Sequence, residues 1–287
     1  DVSIGMQMMK QIADSYRRFR NTFKFIIGNL SDFTPDKTVP YEELSDLDKW
    51  LLHKLYALSS RIIEHYEKFE FHLVYRKLLN FCAVELSSIY FDISKDILYV
   101  ELPDSKKRRA NQTVQNELLN SLMRLMAPIL CFTMEEIWQF MKKPGSIHME
   151  RYYRLDDRFN NPEIEQKIEG LVNIKNDVLK ELEVCRKDKM LKSSLEADIT
   201  IFVKDEKTKQ MMASMGPELT RFFQVASVAV LSEKQAGMRD YENASVSIRK
   251  TSGKKCVRCW NYFETIGSDP DHPELCRRCT DIIKAMK

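Results

Sequence analysis

Four cysteines near the end of the chain carry its clearest chemistry: Cys256-x-x-Cys259, then Cys276-x-x-Cys279. Two residues between paired thiols let a tight turn aim both sulfurs at one ion. Two such turns complete a tetrahedron around zinc. The intervening residues 260–275, with Gly267 and Pro270 among them, are long enough for a hairpin that brings the pairs together. Four thiolates leave no open coordination position, so the expected metal is structural. Its binding supplies roughly 10–16 kcal/mol at neutral pH, enough to fold a tail too small to hold itself. The competing account is two disulfides or four unrelated core thiols. Seven cysteines, an odd total, without a secretion pattern favour a reducing cytosol instead. His272 is expected to cap or pack rather than replace a thiol. Cys82, Cys131 and Cys185 are scattered in apolar helical patterns and read as small core residues.

Around the cysteines lie Lys254, Lys255, Arg258, Arg277 and Arg278, with Trp260 and Tyr262 directly after Cys259. Cations beside aromatic rings suit a flexible RNA loop, whose phosphates meet charge while unstacked bases lie on rings. Arg258 is the candidate for base hydrogen bonding and Trp260 for stacking. The alternative for Trp260 is that it covers a small zinc core. A net charge of +3 is too small to prove a nucleic-acid partner, so the position of the cations must carry that case.

These residues need a frame, and the first 150 residues read as helices. Tyr16, Phe19, Phe23, Ile26, Ile27 and Leu30 recur at helical spacing, with Arg17, Arg20 and Lys24 on the opposite face. Gly28-Asn29 begins the stop. Ser45 is expected to cap a second helix with Asp48 at its positive end and a stripe from Leu47 to Phe69. A third carries Phe71 to Ile89 and runs to about Leu98. The basic cluster Lys106 to Arg109 reads as a loop before a fourth helix from about Gln112 to Met126. Thr133 and Glu136 read as a capping box opening a fifth. Asn161-Pro162 starts a long helix with Ile164, Ile168, Leu171, Val178, Leu182 and Cys185 inward. Strands are expected at Ala197 to Val203, Ser227 to Leu231 and Ala244 to Arg249, with a short helix at Pro217 to Phe223. The expected architecture is mainly α: a helical bundle over 1–145, a small α+β junction unit over 146–250, and a zinc-ribbon-like tail over 251–287. A composition of 44% hydrophobic and 30% charged residues suits a packed core, and no apolar run reaches 18 residues.

The stretch Ser15-Tyr16-Arg17-Arg18-Phe19-Arg20-Asn21-Thr22-Phe23 through Gly28-Asn29-Leu30-Ser31-Asp32-Phe33 resembles the opening helix of the isoleucyl-tRNA synthetase anticodon-binding domain. Phe81-Cys82-Ala83-Val84-Glu85-Leu86-Ser87-Ser88-Ile89-Tyr90-Phe91-Asp92 is similar to that family's third helix. Ala127-Pro128-Ile129-Leu130, Glu135-Glu136-Ile137-Trp138 and Ser194-Leu195-Glu196-Ala197 also match. The tail, with Lys255-Cys256, Arg258-Cys259-Trp260, His272-Pro273 and Leu275-Cys276, is similar to the zinc-binding end of the bacterial type. The opening helix is shared in weaker form with valyl- and leucyl-type relatives, and its combination with the four-cysteine tail points to the isoleucine enzyme.

The resemblance implies a fragment of a class I synthetase that joins isoleucine to its tRNA, with ATP and Mg2+ used only by a catalytic domain absent here. It implies binding of the isoleucine tRNA anticodon stem-loop by a cytoplasmic protein, expected to be a monomer without an obligate protein partner or membrane attachment. Lys189-Met190-Leu191-Lys192-Ser193 looks superficially like the family's ATP-loop motif, but it follows the helical region and aligns with a helix–strand junction. Two rivals remain. A formamidopyrimidine-type DNA glycosylase has a similar finger but needs an N-terminal proline nucleophile, whereas this chain opens Asp1-Val2-Ser3. A helical adaptor with a zinc knuckle would show no preference among tRNAs.

Overall fold

The structure, a computed structural model, describes residues 4–286; Asp1-Val2-Ser3 and Lys287 lie outside the described residues. It divides into two compact units that interleave in sequence: residues 1–94 with 104–165, and residues 95–103 with 166–287. The chain therefore leaves the first unit briefly before returning to it, and residue 145 is not a boundary between the two.

The first unit is helical. α1 (Met6–Asn29), α2 (Asp46–Glu67), α3 (Phe71–Phe81), α4 (Phe91–Val100), α5 (Lys106–Met126) and α6 (Cys131–Phe140) begin in it. α5 lies at the centre, packed against α1, α2 and α6. Its buried residues Val114, Leu119, Asn120 and Met123 fall on more than one face, as a central helix requires. α2 starts as its sequence predicts: Ser45 Oγ accepts the Asp48 backbone N–H at 3.2 Å, and Asp48 accepts from the Ser45 backbone N–H in return. Asp48 is then drawn inside. Tyr90 Oη donates to it at 2.5 Å, and Asn111 donates to both Tyr90 Oη and Ser94 Oγ at 2.8 Å. Burial pushes the Asp48 carboxyl above its ordinary value despite the Ser45 and Tyr90 donors.

Several expectations needed correction. The third helix is continuous to Val100 but is interrupted by a π-helical stretch over Cys82–Tyr90, where Ser87 and Ser88 hydroxyls donate to the carbonyls of Cys82 and Ala83. Residues 106–109 are not a loop; Ser105 caps α5 and they form its first turn. Cations there oppose the helix dipole, and acceptors offset this: Arg108 grips Asp32 through two bonds of 2.6 and 2.9 Å, and Arg109 reaches Asp104 at 2.6 Å. Thr133 does not cap α6, because the helix has already begun at Cys131, and its hydroxyl meets Tyr16 Oη at 3.1 Å. Cys131 stands exposed on that first turn rather than in the core. Phe69 is 79% exposed, because it closes α2 in the left-handed conformation (φ 58°), which turns it away from the helix stripe.

The second unit is built on α7 (Pro162–Lys187) and a four-stranded sheet of β1 (Ala197–Phe202), β2 (Ser227–Leu231), β3 (Arg239–Asp240) and β4 (Ser245–Lys250). Asn161 caps α7 by accepting the Ile164 N–H at 3.1 Å. The strand order is β2-β1-β4-β3, with β1 and β2 parallel and the other pairs antiparallel. A parallel neighbour needs a crossover. α8 (Glu206–Ser214) and α9 (Pro217–Phe223) supply it, and α8 is the element not expected. Ile199 and Ile201 point into the core while Thr200 stays half-buried, as the alternation predicts. β5 (Lys254–Lys255), β6 (Tyr262–Phe263) and α10 (Arg277–Ala285) complete the tail.

Candidate metal centre and nucleic-acid interface

β5 and β6 pair antiparallel, Lys254 opposite Phe263 and Lys255 opposite Tyr262, so the first cysteine turn sits at the end of a short hairpin. The Cys256 backbone N–H donates to the Asn261 carbonyl at 2.9 Å, and Trp260 N–H donates to the Cys256 carbonyl at 2.9 Å. Gly253 packs closely on this hairpin: a Cβ there would lie 3.0 Å from the Phe263 backbone, tighter than an ordinary contact. Cys276 precedes the first turn of α10, which carries Cys279 inward.

The four ligand sulfurs lie within 4.8 Å of one another, and three of the four residues are buried. His272 is not among them. The donor set fits one zinc ion held as thiolates. Cys276 N–H points at Cys256 Sγ at 3.4 Å, and Arg258 Nη1 points at Cys279 Sγ at 3.7 Å; such donors stabilise charge on sulfur. With zinc bound, all four coordination positions are filled by protein, so the ion organises the fold and performs no chemistry on a substrate.

The apolar floor of the site comes from Val100, Leu102, Phe263, Ile266, Leu275 and Ile282. Trp260 is not part of it. Its ring is 62% exposed, its backbone is left-handed (φ 64°), and Lys255 Nζ lies 5.2 Å from its centroid. A bulky residue in that conformation is an outlier imposed by the cysteine turn, and here it projects a flat ring toward solvent. Lys254, Lys255 and Arg277 are exposed nearby in sequence.

Two residues expected at an RNA surface have other partners. Arg258 is half-buried and committed to Cys279. Arg278 donates to both oxygens of Asp96, at 2.7 and 2.6 Å, and Arg221 Nε meets the same carboxylate at 2.7 Å. Asp96 supplies buried charge that only a tertiary fold can bring to α10. On α1, Arg17, Arg20 and Lys24 are all exposed, but Arg17 is paired with Asp14 at 2.8 Å. The segment from Lys189 to Ser194 lies between α7 and β1, as expected for a helix–strand junction and not for a nucleotide loop. Its follower Glu196 is buried, accepting from Lys192 N–H at 3.1 Å and from Tyr262 Oη at 3.3 Å.

A family model described as the anticodon-binding domain of tRNA ligase matches residues 48–201. The chain belongs to that family. A second model, a zinc finger found in FPG and IleRS, matches residues 253–282, the span of the cysteine cluster. Along its whole length the chain is 37% identical to an isoleucine–tRNA ligase of Desulforudis audaxviator, covering 100% of this chain and 32% of that protein. Isoleucine–tRNA ligases of Carboxydothermus hydrogenoformans and Persephonella marina are each 38% identical, again over 100% of this chain and 31% of theirs. The chain thus spans about a third of the length of the curated relatives it matches. A zinc finger alone is common to both glycosylases and ligases; the anticodon-binding match upstream of it disfavours the glycosylase. Among the described residues no helix is long and apolar enough to cross a membrane.

Proposed function

We propose that this chain is the tRNA-recognition part of an isoleucine–tRNA ligase and grips the anticodon stem-loop of isoleucine tRNA. The observation that carries the reading is the exposed, cation-flanked Trp260 ring, held rigidly by a four-cysteine turn in a member of the anticodon-binding family. Unstacked loop bases need flat, fixed surfaces, and phosphates need nearby charge. Trp260 stacks a base, Lys254, Lys255 and Arg277 meet phosphates, and Arg20 and Lys24 on α1 track the stem. Arg17 adds to that face when released from Asp14. Arg258 and Arg278 act indirectly, by holding the zinc module in shape. Activation of isoleucine with ATP and Mg2+ belongs to the rest of the parent enzyme, which we place in the cytoplasm as a monomer.

The test is capture of tRNA from a total pool by this chain, followed by sequencing, with Trp260→Ala in parallel. Stacking on an aromatic side chain contributes about 1–3 kcal/mol per base, so the variant should bind the stem-loop roughly 5- to 150-fold more weakly while keeping its fold. Capture without preference for isoleucine tRNA would favour the adaptor reading instead.

A further inference from the structure

The first unit contains an open cavity of about 430 Å³ that no residue of the cysteine tail lines. Its walls are the rings of Tyr41, Tyr153 and Phe159 and the side chains of Leu44, Leu52 and Leu155, and Glu117 of α5 enters among them. Tyr41 and Phe159 lie 5.6 Å apart between ring centroids, tilted against each other. Clefts that hold small molecules generally measure about 300–1,000 Å³, with mostly apolar walls and a few polar groups that orient the guest.

Most polar groups around this cavity are engaged with each other. Thr113 Oγ1 accepts the Val39 N–H at 3.0 Å and donates to the Arg109 carbonyl at 2.9 Å. Arg158 donates to both carboxylate oxygens of Asp156, at 3.1 and 2.6 Å, and reaches Glu42 Oε1 at 2.6 Å. Arg154 stands 90% exposed, with Asp157 3.8 Å away. Glu117 differs from all of these. Its Oε1 accepts the Tyr153 hydroxyl at 3.2 Å, and its carboxylate has no ion-pair partner among the described residues. Burial pushes this carboxyl above its ordinary value; the Tyr153 hydroxyl opposes the shift and the charge of Asp156 adds to it. A carboxylate set among apolar rings without a cation is destabilising. A cation arriving from solvent removes that cost, and aromatic faces attract it further.

We infer that this cavity binds a primary ammonium ion carried on a short apolar stem, the ammonium on Glu117 and the stem between the rings and the leucines. An ammonium brings three donors and no acceptor. Glu117 Oε2 takes one of them. The Tyr153 oxygen, whose hydrogen is already directed at Glu117, has lone pairs for another. A neutral guest of the same shape fills the apolar part equally well but leaves the carboxylate without its counter-charge. Charge and shape therefore separate cleanly. The site is a small-molecule site and is independent of the tRNA reading above.

The experiment titrates the zinc-loaded 287-residue chain with phenethylamine and with phenethyl alcohol, its neutral counterpart, following the methyl NMR signals of Leu44, Leu52 and Leu155. The amine should give saturable shifts centred on these methyls and bind roughly 10- to 150-fold more tightly than the alcohol, the range expected for a hydrogen bond to a charged group. Glu117→Gln keeps the side-chain shape and the acceptor for Tyr153. It should abolish the preference for the amine while leaving the alcohol's affinity unchanged. The comparison of the two probes in the wild type needs no variant to fold. Equal affinity of the two probes in the wild type, or a preference for the amine that survives Glu117→Gln, overturns the inference. So do amine-induced shifts that never saturate or that fall on methyls away from the cavity.

Discussion

Asp96→Ala tests how the zinc tail is anchored. Asp96 accepts from Arg278 through two bonds of 2.7 and 2.6 Å and from Arg221 at 2.7 Å, and its side chain is only 16% exposed. Removing one member of a buried ion pair generally costs about 3–5 kcal/mol, because the partner is left charged and uncompensated. That figure must be reduced here. Arg278 is 30% exposed, so water takes over part of the lost carboxylate, and Arg221 keeps Glu218 as a partner. We expect a loss of about 2–3 kcal/mol from the second unit on this basis. A chain with two units need not unfold in one step, so amide hydrogen exchange of β1, β4 and α10 is the appropriate assay, with zinc content measured alongside. The effect has a pH signature. Burial pushes the Asp96 carboxyl up, but the hydrogen bonds and charge of Arg278 and then Arg221 outweigh it, leaving the folded value below the ordinary 3.8. A depressed acid stabilises the fold above its unfolded pKa and loses that contribution as pH falls through the folded value. The gap between wild type and Asp96→Ala should thus be constant near neutrality and narrow below pH 3.8. A change under about 0.5 kcal/mol, the range of an ordinary surface substitution, or a gap that widens on acidification, would refute this account.

Chelation of the metal, or Cys276→Ser, should disorder β5, β6 and α10 while leaving the helical first unit folded; a proton NMR spectrum of the tail indifferent to chelator would contradict the zinc assignment. Gly253→Ala should destabilise the same hairpin by about 1–3 kcal/mol through overpacking, since its Cβ would sit 3.0 Å from the Phe263 backbone; unchanged tail protection in hydrogen exchange would count against that crowding.

Features that depend on residues close along the chain are legible before any fold is known. The cysteine spacing announces a metal because each pair is a local turn. The Ser45 and Asn161 caps, the buried stripe of α7 and the alternation of Ile199, Ile201 and Val203 are likewise set within one or two turns of backbone. Residues 205–208 hold a comparable signal for α8, since Asp205 accepts the Thr208 N–H at 2.8 Å. Partners distant in sequence are a different matter, settled by folding. Lys106 to Arg109 look like a solvated basic loop until Asp32 and Asp104 meet two of them. Arg278 resembles an RNA-binding cation until Asp96 claims it, and Trp260 could equally have lined the zinc core until Phe263, Leu275 and Val100 filled that space. Opposite charges and apolar surfaces select partners through space, at distances that local spacing does not encode. The π-helical stretch at Cys82–Tyr90 belongs with these, because one displaced turn re-aims side chains such as Glu85 without altering the apolar rhythm that predicts a helix.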